Sequence, residues 1–422
     1  MVKGEWLKVK VMKKGLLYIA MIAVMLAGCR QKGDVYYDPN DPLNMSYTTY
    51  AGQFEAIWHG LNTYYVFWSE DSTEWNLVYK EMLPRFQELD SAYKNNGTIP
   101  DSLTFVGMYQ DVTSTLIDHH LTMQIRDVHT NKPYIFKPGQ DEVNQRDYVQ
   151  GQTYSSAAMK EAIDGFVKDG LLTSGTWGKR GNYVNFFGIR KVDTKKIAYY
   201  WQNNFFMTST LQAGILDTDD ELAQQYTKNI ESWLDMCLND EDLLGIILDN
   251  RCNGGGQLAD LKIVIGPFIS EPLQYGNIRY KEGPNRYEYT NWIPAYADTM
   301  DIRNRRDLED QNIPYVVIAN AYSISMAEIS SAAIKLLPTG CMIGERTFGA
   351  HGQLYSLSTI FYDGTFGDPN GKHYVYTSSL QTKFLDGGIL EGQGVSPDKS
   401  ILQMESGYAG AMEKAIDYIK AY

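Results

Sequence analysis

The sequence predicts an α/β fold in which a mostly parallel sheet carries packed helices and follows an N-terminal helical bundle. From about residue 195 onward, short apolar runs alternate with segments of helical periodicity, and this alternation favours parallel strands joined by helices. Between Phe54 and Met123, apolar residues recur at helical spacing instead, which predicts several helices packed together.

The first 29 residues are expected to be a lipoprotein signal peptide. Lys13 and Lys14 precede an apolar run from Leu16 to Leu26, and small residues and Cys29 follow. This order is typical of a secretory signal, and the run is too short for a lasting transmembrane span. Its end, Leu-Ala-Gly-Cys, resembles a bacterial lipobox, which implies that Cys29 is lipidated. We therefore expect a lipid-anchored protein of the cell envelope, and Arg30 after the cysteine favours the outer membrane.

Composition narrows the class of partner. Removing residues 1–29 takes away a net charge of +4, so the formal charge changes from -13 to -17. So negative a chain argues against nucleic acid as a partner. The three cysteines left, Cys237, Cys252 and Cys341, allow at most one bridge and make no disulfide framework.

The chain divides into four expected parts after the signal. Residues 30–50 are rich in Gly, Asp, Asn and Pro and predict a polar tether. Residues 51–130 form the helical domain, with Phe54, Ile57, Trp58 and Leu61 on one helical stripe. Residues 131–194 are a connecting region with one helix candidate at 156–171, and residues 195–422 are the α/β core.

Within the core, strands and helices are expected to alternate along the chain. The predicted strands are residues 196–201, 244–249 and 315–319, and the predicted helices are residues 219–238, 258–269 and 326–337. In such sheets, ligands bind at the carboxyl ends of the strands. Two segments of chemical interest follow strands at this edge.

The first segment is a glycine triplet, Gly254 to Gly256, between a buried strand and a helix. Consecutive glycines can turn several backbone N–H groups towards one anion. The Gly-Lys-Ser/Thr ending of a phosphate-binding Walker loop is absent. A tight structural turn explains the triplet about as well as an anion site does.

The second segment contains Ser325, at the start of the predicted helix 326–337. Ser325 and Glu328 have the spacing of a capping box, in which each side chain satisfies a backbone donor of the first turn. Taken alone, this pattern favours a helix cap over a catalytic serine, because capping serines are far more common.

Four sequence motifs, taken together and in their order along the chain, favour a catalytic role for Ser325 in addition to the helix cap. Asp-x-Arg-x-Asn-Gly-Gly-Gly from 249, Ser-x-Ser-x-Ala-Glu from 323, Gly-Glu-Arg-Thr-Phe-Gly from 344 and Glu-Gly-x-Gly-Val-x-Pro-Asp from 391 resemble the tricorn and C-terminal-processing family of serine peptidases. The resemblance implies a ClpP/crotonase-like core and identifies Ser325 as the nucleophile. It implies an oxyanion hole made by the N–H of Met326 and that of Gly254 or Gly255.

The residue that would act as the base differs from that of the better-known branch of the family. The lysine of its Gly-Lys-Gly segment is replaced by Ala350, so a Ser-Lys pair is unavailable. The tricorn branch uses a histidine from the N-terminal region and a distant glutamate, and Asp-Val-His129-Thr resembles its Asp-Gly-His-Thr segment. This implies His129 as the base and Glu391 as the acid, with His351, next to the lost lysine, as the alternative base. His119 and His120 lack partners at the spacing of a zinc motif, so we expect neither a metal nor another cofactor.

Two functions follow from the resemblance. The first is a lipid-anchored serine endopeptidase that hydrolyses peptide bonds through an acyl-enzyme on Ser325. The second is a non-catalytic module on the same fold that holds a peptide or apolar ligand in its cleft. Residues 131–194 contain no Gly-Leu-Gly-Phe-like loop of a PDZ module. The sequence therefore leaves cleavage specificity open, and it leaves oligomeric state open as well.

Overall fold

Three sheets organise the computed structural model, which describes residues 47–213, 220–302, 305–354, 364–368, 370–385 and 388–422. The strands are β1 Thr122–Arg126, β2 Pro133–Phe136, β3 Ser174–Arg180, β4 Tyr183–Val192, β5 Lys195–Gln202, β6 Leu243–Asp249, β7 Leu273–Arg279, β8 Ile293–Ala297, β9 Tyr315–Ala319, β10 Gly340–Gly344, β11 Phe366–Gly367, β12 His373–Tyr376, β13 Gln381–Phe384 and β14 Lys399–Ser400.

The helices are distributed along the whole described chain. They are α1 Tyr50–Tyr64, α2 Trp75–Asn96, α3 Ser102–Thr113, α4 Pro138–Asn144, α5 Ser156–Lys168, α6 Met207–Ala213, α7 Glu221–Asn239, α8 Leu261–Val264, α9 Met326–Lys335 and α10 Gln403–Ala421, with 3₁₀ turns at Leu258–Asp260 and Gly266–Phe268. None of these described helices combines the length and the apolar character needed to cross a bilayer.

The central sheet has seven strands in the order β14–β10–β9–β6–β5–β4–β3. The strands from β14 to β5 pair in parallel, and β4 and β3 continue the sheet as antiparallel strands. This confirms the predicted α/β class with a mostly parallel sheet.

Helices cover both faces of this sheet because its strands are apolar on both sides. In β5, Ala198 and Tyr200 face the core shared with α7 and α9. Ile197, Tyr199 and Trp201 face the core shared with α5 and α10. Side chains of a strand alternate between faces, so one buried strand contributes to two hydrophobic layers.

The N-terminal region and the core share a second sheet, which was not predicted. Its order is β11–β12–β1–β2, with β1 antiparallel to both neighbours. The residues between Leu116 and Met123 were predicted to continue the helices, yet β1 begins at Thr122. Residues Ser46–Tyr422 accordingly form one compact unit.

The predicted domain boundaries differ from the observed elements in a second place. Strands β3 and β4 lie within residues 131–194, which were assigned to a connecting region, but they pair into the central sheet. The sheet therefore begins at Ser174 rather than near residue 195. The antiparallel β3–β4–β5 meander has no intervening helix, so a search for alternating strands and helices misses its start.

The register of β6 and β9 brings the two segments of chemical interest together. Asp249 at the end of β6 pairs with Ile318 near the end of β9. The glycine triplet and the Ser325 loop therefore leave the sheet side by side at its carboxyl edge. The third sheet, of order β13–β7–β8, contacts α9 through β7.

Candidate active site

Ser325 has an unusual backbone conformation at the start of α9. Its φ is 58° and its ψ is -118°, a combination that costs free energy for a residue with a side chain. The Ser325 N–H donates to Glu328 Oε2 at 3.1 Å, which is the Glu328 half of the predicted capping box. The strain is held in place by that bond and by the packed helix behind it.

The glycine triplet lies directly against this serine. A Cβ added to Gly255 would be 2.6 Å from Ser325 Cβ and 2.8 Å from the Ile324 carbonyl oxygen. The φ of Gly255 is 89°, so both conformation and space require glycine here. The Ile324 N–H donates to the Asn253 carbonyl at 2.9 Å, which joins the two loops.

The three backbone N–H groups predicted for an oxyanion hole differ in whether they already make a hydrogen bond. The Gly254 N–H donates to the Asn203 carbonyl at 2.9 Å, and the Gly255 N–H donates to Asn253 Oδ1 at 2.8 Å. The Met326 N–H is the first of its helix and has no acceptor within the described residues. The Met326 amide alone of the three is therefore ready to bind an oxyanion.

A short segment, Thr347–Gly352, connects Ser325 to the other side of the site, and we call it the strap. Glu328 lies in the first turn of α9, and its carboxylate accepts from Thr347 Oγ1 at 2.6 Å and from the N–H groups of Gly349 and Ala350 at 2.7 Å each. Burial raises the pKa of Glu328, while these hydrogen bonds oppose the rise. Ala350, which replaces the family's lysine, therefore holds the strap through its backbone.

The next two amides of the strap bind a second buried carboxylate, that of Glu391. Its Oε2 accepts from the His351 N–H at 3.1 Å and the Gly352 N–H at 2.8 Å. Its Oε1 accepts from the His119 N–H at 3.2 Å. Burial and the neighbouring Asp118 and Glu328 carboxylates raise the pKa of Glu391. Of four consecutive amides in the strap, the first two thus donate to Glu328 and the last two donate to Glu391.

His120 lies beside Glu391, although it was not predicted as a site residue. One ring nitrogen of His120 and one oxygen each of Asp118 and Glu391 all lie within 4.8 Å of one another. The Nδ1 atom is 3.4 Å from Ser378 Oγ, and the residue is partly exposed. Burial lowers the pKa of His120 and the Asp118 carboxylate opposes that shift, so the imidazole is neutral at pH 7 and able to accept a proton.

Asp118 fixes the loop that carries His120. Its carboxylate accepts from the His120 N–H at 2.9 Å, from Thr377 Oγ1 at 2.5 Å, and from the N–H and Oγ of Ser378 at 2.8 and 3.0 Å. With both oxygens occupied by donors, this carboxylate is poorly available as a ligand. The Asp118, His120 and Glu391 cluster is the group of described residues that could hold a metal ion, and we assign no metal to it.

The structure places the predicted base, His129, in an aromatic cluster of the N-terminal helices. Its ring stacks on Tyr93 with 3.5 Å between ring centroids and meets Tyr50 edge-on at 5.1 Å. Its Nε2 is buried and has no hydrogen-bond partner among the described residues. His129 and His120 stand at opposite ends of the five-residue strand β1, which spans about 16 Å at the usual rise per residue. His129 thus belongs to the packing of α1 and α2 rather than to the site.

The alternative base, His351, lies in the site but is completely buried. Its Nε2 accepts from the Leu390 N–H at 3.3 Å, so the ring carries its proton on Nδ1, 3.6 Å from Glu391 Oε2. Burial, with a smaller contribution from His120, lowers its pKa to about 3. This Nδ1 has no hydrogen-bond partner among the described residues, and the buried ring lacks access to a substrate.

A repeated pattern gives two histidines the same local setting. Asp-x-His occurs at Asp118–His120 and again at Asp127–His129, and only the second is followed by the threonine of the family's segment. In both places the aspartate accepts from the backbone N–H of the histidine two residues later. The local turn is therefore the same, and only the pairing of β1 with β12 decides which copy reaches Glu391.

Comparison with solved structures supports the fold. A proposed peptidase from Parabacteroides merdae has a TM-score of 0.56 and 18% sequence identity, over 88% of this chain and 96% of that chain. Mature CPAF complexed with lactacystin has a TM-score of 0.55 and 11% identity, over 89% of this chain and 99% of that chain. No curated protein sequence matches this chain significantly.

The sequence itself matches a family model. Residues 207–401 match peptidase family S41, and this range contains the glycine triplet, Ser325, the strap and Glu391. Peptides or proteins are the substrates that such a family implies. The chain therefore contains a domain of peptidase family S41 at residues 207–401.

Proposed function

We propose that this protein is a lipid-anchored serine endopeptidase of the bacterial cell envelope, with Ser325 as nucleophile and His120 as general base. The observation that carries the proposal is the strap, because it ties the strained Ser325 turn through Glu328 to the Glu391 and His120 cluster. Nucleophile, base and acid come from three distant parts of the chain and are held by one set of hydrogen bonds.

In the proposed reaction, Ser325 Oγ attacks a peptide carbonyl and His120 accepts the hydroxyl proton. His120 then gives this proton to the leaving amine, and water hydrolyses the acyl-enzyme by the same route in reverse. The Met326 N–H stabilises the oxyanion, at the positive end of α9. Glu391 stabilises the imidazolium as it forms, because its carboxylate lies next to His120.

The test is covalent labelling of residues 30–422 with a fluorophosphonate, followed by peptide mass spectrometry. We expect an adduct on Ser325 in the wild type, none in Ser325→Ala, and a loss of labelling rate of about a thousandfold in His120→Ala, given the usual contribution of a general base.

His129→Ala is the matched control, because it removes the same type of side chain from the second Asp-x-His segment. It should label at the wild-type rate once folding has been verified by circular dichroism. Loss of labelling in His129→Ala but not in His120→Ala would overturn the assignment of the base.

One observation favours a second function, a binding module without catalysis. The Gly254 and Gly255 amides already donate to protein acceptors, so a complete oxyanion hole requires one of these bonds to open. A folded wild-type protein that stays unlabelled, yet binds peptides in the cleft by isothermal titration calorimetry, would support this alternative.

A further inference from the structure

Helix α4 and the turn after it contact all three parts of the candidate site. The segment 138–146 lies within residues 131–194, which contain no Gly-Leu-Gly-Phe-like loop of a PDZ module. Its Asn144 Oδ1 accepts from the hydroxyl of Tyr322, three residues before Ser325. Its Glu142 and Arg146 reach His119 and the strap.

The contact with the strap is bidentate. Arg146 Nη1 donates to the Thr347 carbonyl at 2.7 Å, and Nη2 donates to the Phe348 carbonyl at 2.9 Å. The Phe348 carbonyl belongs to the same peptide group as the Gly349 N–H that donates to Glu328, and the amides that bind Glu391 follow two residues later in the strap. A planar guanidinium matches two neighbouring acceptors in a way that a lysine ammonium cannot.

The contact with the base loop passes through His119. The His119 ring is buried, with Nδ1 2.9 Å from the Phe348 carbonyl and Nε2 3.1 Å from Glu142 Oε2. A carbonyl oxygen only accepts, so Nδ1 donates to it. The hydrogen bond with His119 lowers the pKa of Glu142. A Cβ on Gly139 would lie 2.4 Å from His119 Cα, so α4 sits directly on the residue before His120.

We infer that Arg146, supported by Glu142 and His119, is a positioning residue that sets the strap and thereby the alignment of His120 and Glu391 with Ser325. The expected effect of Arg146 on the reaction rate rests on the proposed function. Its expected effect on the strap is independent of catalysis. Arg146 itself touches carbonyl oxygens of the protein and no reacting atom.

Two measurements on Arg146→Met test this inference. Hydrogen–deuterium exchange should show the amides of Gly349–Gly352 exchanging about tenfold faster, which corresponds to the loss of a charge-assisted hydrogen bond. Fluorophosphonate labelling of Ser325 should slow by about tenfold or more in its maximal rate, since small misplacements cost rate. The probe concentration giving half-maximal rate should stay unchanged.

Arg85→Met is the matched control. Arg85 makes one exposed ion pair with Asp111, so the same substitution there should leave strap exchange and labelling at wild-type values. Arg146→Lys should restore part of the loss, because a single ammonium reaches one carbonyl at a time.

The outcomes separate the inference from the proposed function. Faster strap exchange in Arg146→Met with an unlabelled wild type would support the positioning role and count against the peptidase. Wild-type labelling together with unchanged exchange and rate in a folded Arg146→Met would overturn the positioning role and leave the peptidase intact.

Discussion

At the scale of single residues, one buried carboxylate both completes a helix cap and binds the strap. Glu328 completes the helix cap by accepting from the Ser325 N–H, and it also binds the strap. A capping box can therefore hold a strained serine in place. The Ser-x-x-Glu spacing predicted the cap, but the strap comes from residues 347–352, and their approach depends on the tertiary fold.

The environment of His120 predicts the pH below which the reaction rate should fall. A general base works only when it is neutral, so the rate falls as pH drops through its pKa. Burial lowers the pKa of His120, so the rate should persist below pH 6.5, the usual pKa of a histidine. We expect the acidic limb of a pH profile of kcat/KM, or of fluorophosphonate labelling, to lie below that value. A limb above pH 7 would contradict this environment for the base.

At the scale of elements, the loop after β6 depends on a buried ion pair. Arg251 Nε and Nη2 donate to Asp249 Oδ1 and Oδ2 at 2.9 and 2.6 Å, and the two side chains are 3% and 0% exposed. Tyr199 also donates to Asp249 Oδ2 at 2.9 Å. The Asp-x-Arg part of the glycine motif therefore braces the loop, and Gly255 occupies the place beside Ser325.

Removing one partner of this pair should be costly. Arg251→Met would leave Asp249 as a buried charge without its cation, and we expect the free energy of unfolding to fall by about 3–5 kcal/mol. Urea denaturation followed by tryptophan fluorescence measures this change. Lys160→Met breaks a pair whose side chains are 51% and 52% exposed and should cost less than about 1 kcal/mol. Equal effects in the two variants would contradict the role of the Arg251 pair.

Elements with strong local periodicity were predictable, and elements defined by distant pairing were not. The predicted strand at 315–319 is β9 with the same bounds, and the predicted helix 326–337 begins where α9 does. Strand β1 was predicted as helix, because its pairing with β12 joins residues some 250 positions apart. The two Asp-x-His segments flank this strand, so the local pattern alone could not show that His120 is the histidine beside Glu391.

At the scale of the whole molecule, the order of the chain creates the site between early and late segments. Strands β11 and β12 from the C-terminal part complete the sheet of β1 and β2, and this brings Asp118 to Thr377 and Ser378. The candidate site therefore requires both the segment before β1 and the segment after β12. Residues Ser46–Tyr422 form one compact unit, which contains every residue of the candidate site.

Because that compact unit contains the candidate site, lipid anchoring can be tested separately from the reactivity of Ser325. The predicted signal and the tether up to Ser46 lie outside the described residues, and Cys29 is the expected lipidation site. Expressed as the full chain in a bacterium, the wild type should sediment with membranes and dissolve in detergent, because an acylated N-terminus partitions into lipid. Cys29→Ser should lose that association.

The control is the labelling rate of Ser325, which should be equal in residues 30–422 and in detergent-dissolved wild type. Equal rates would mean that the anchor determines only where the site works. A wild type that stays in the soluble fraction, with no added mass on Cys29, would contradict the lipid anchor. The serine chemistry would be unaffected, because the elements that hold Ser325, the strap and His120 all begin after Ser46.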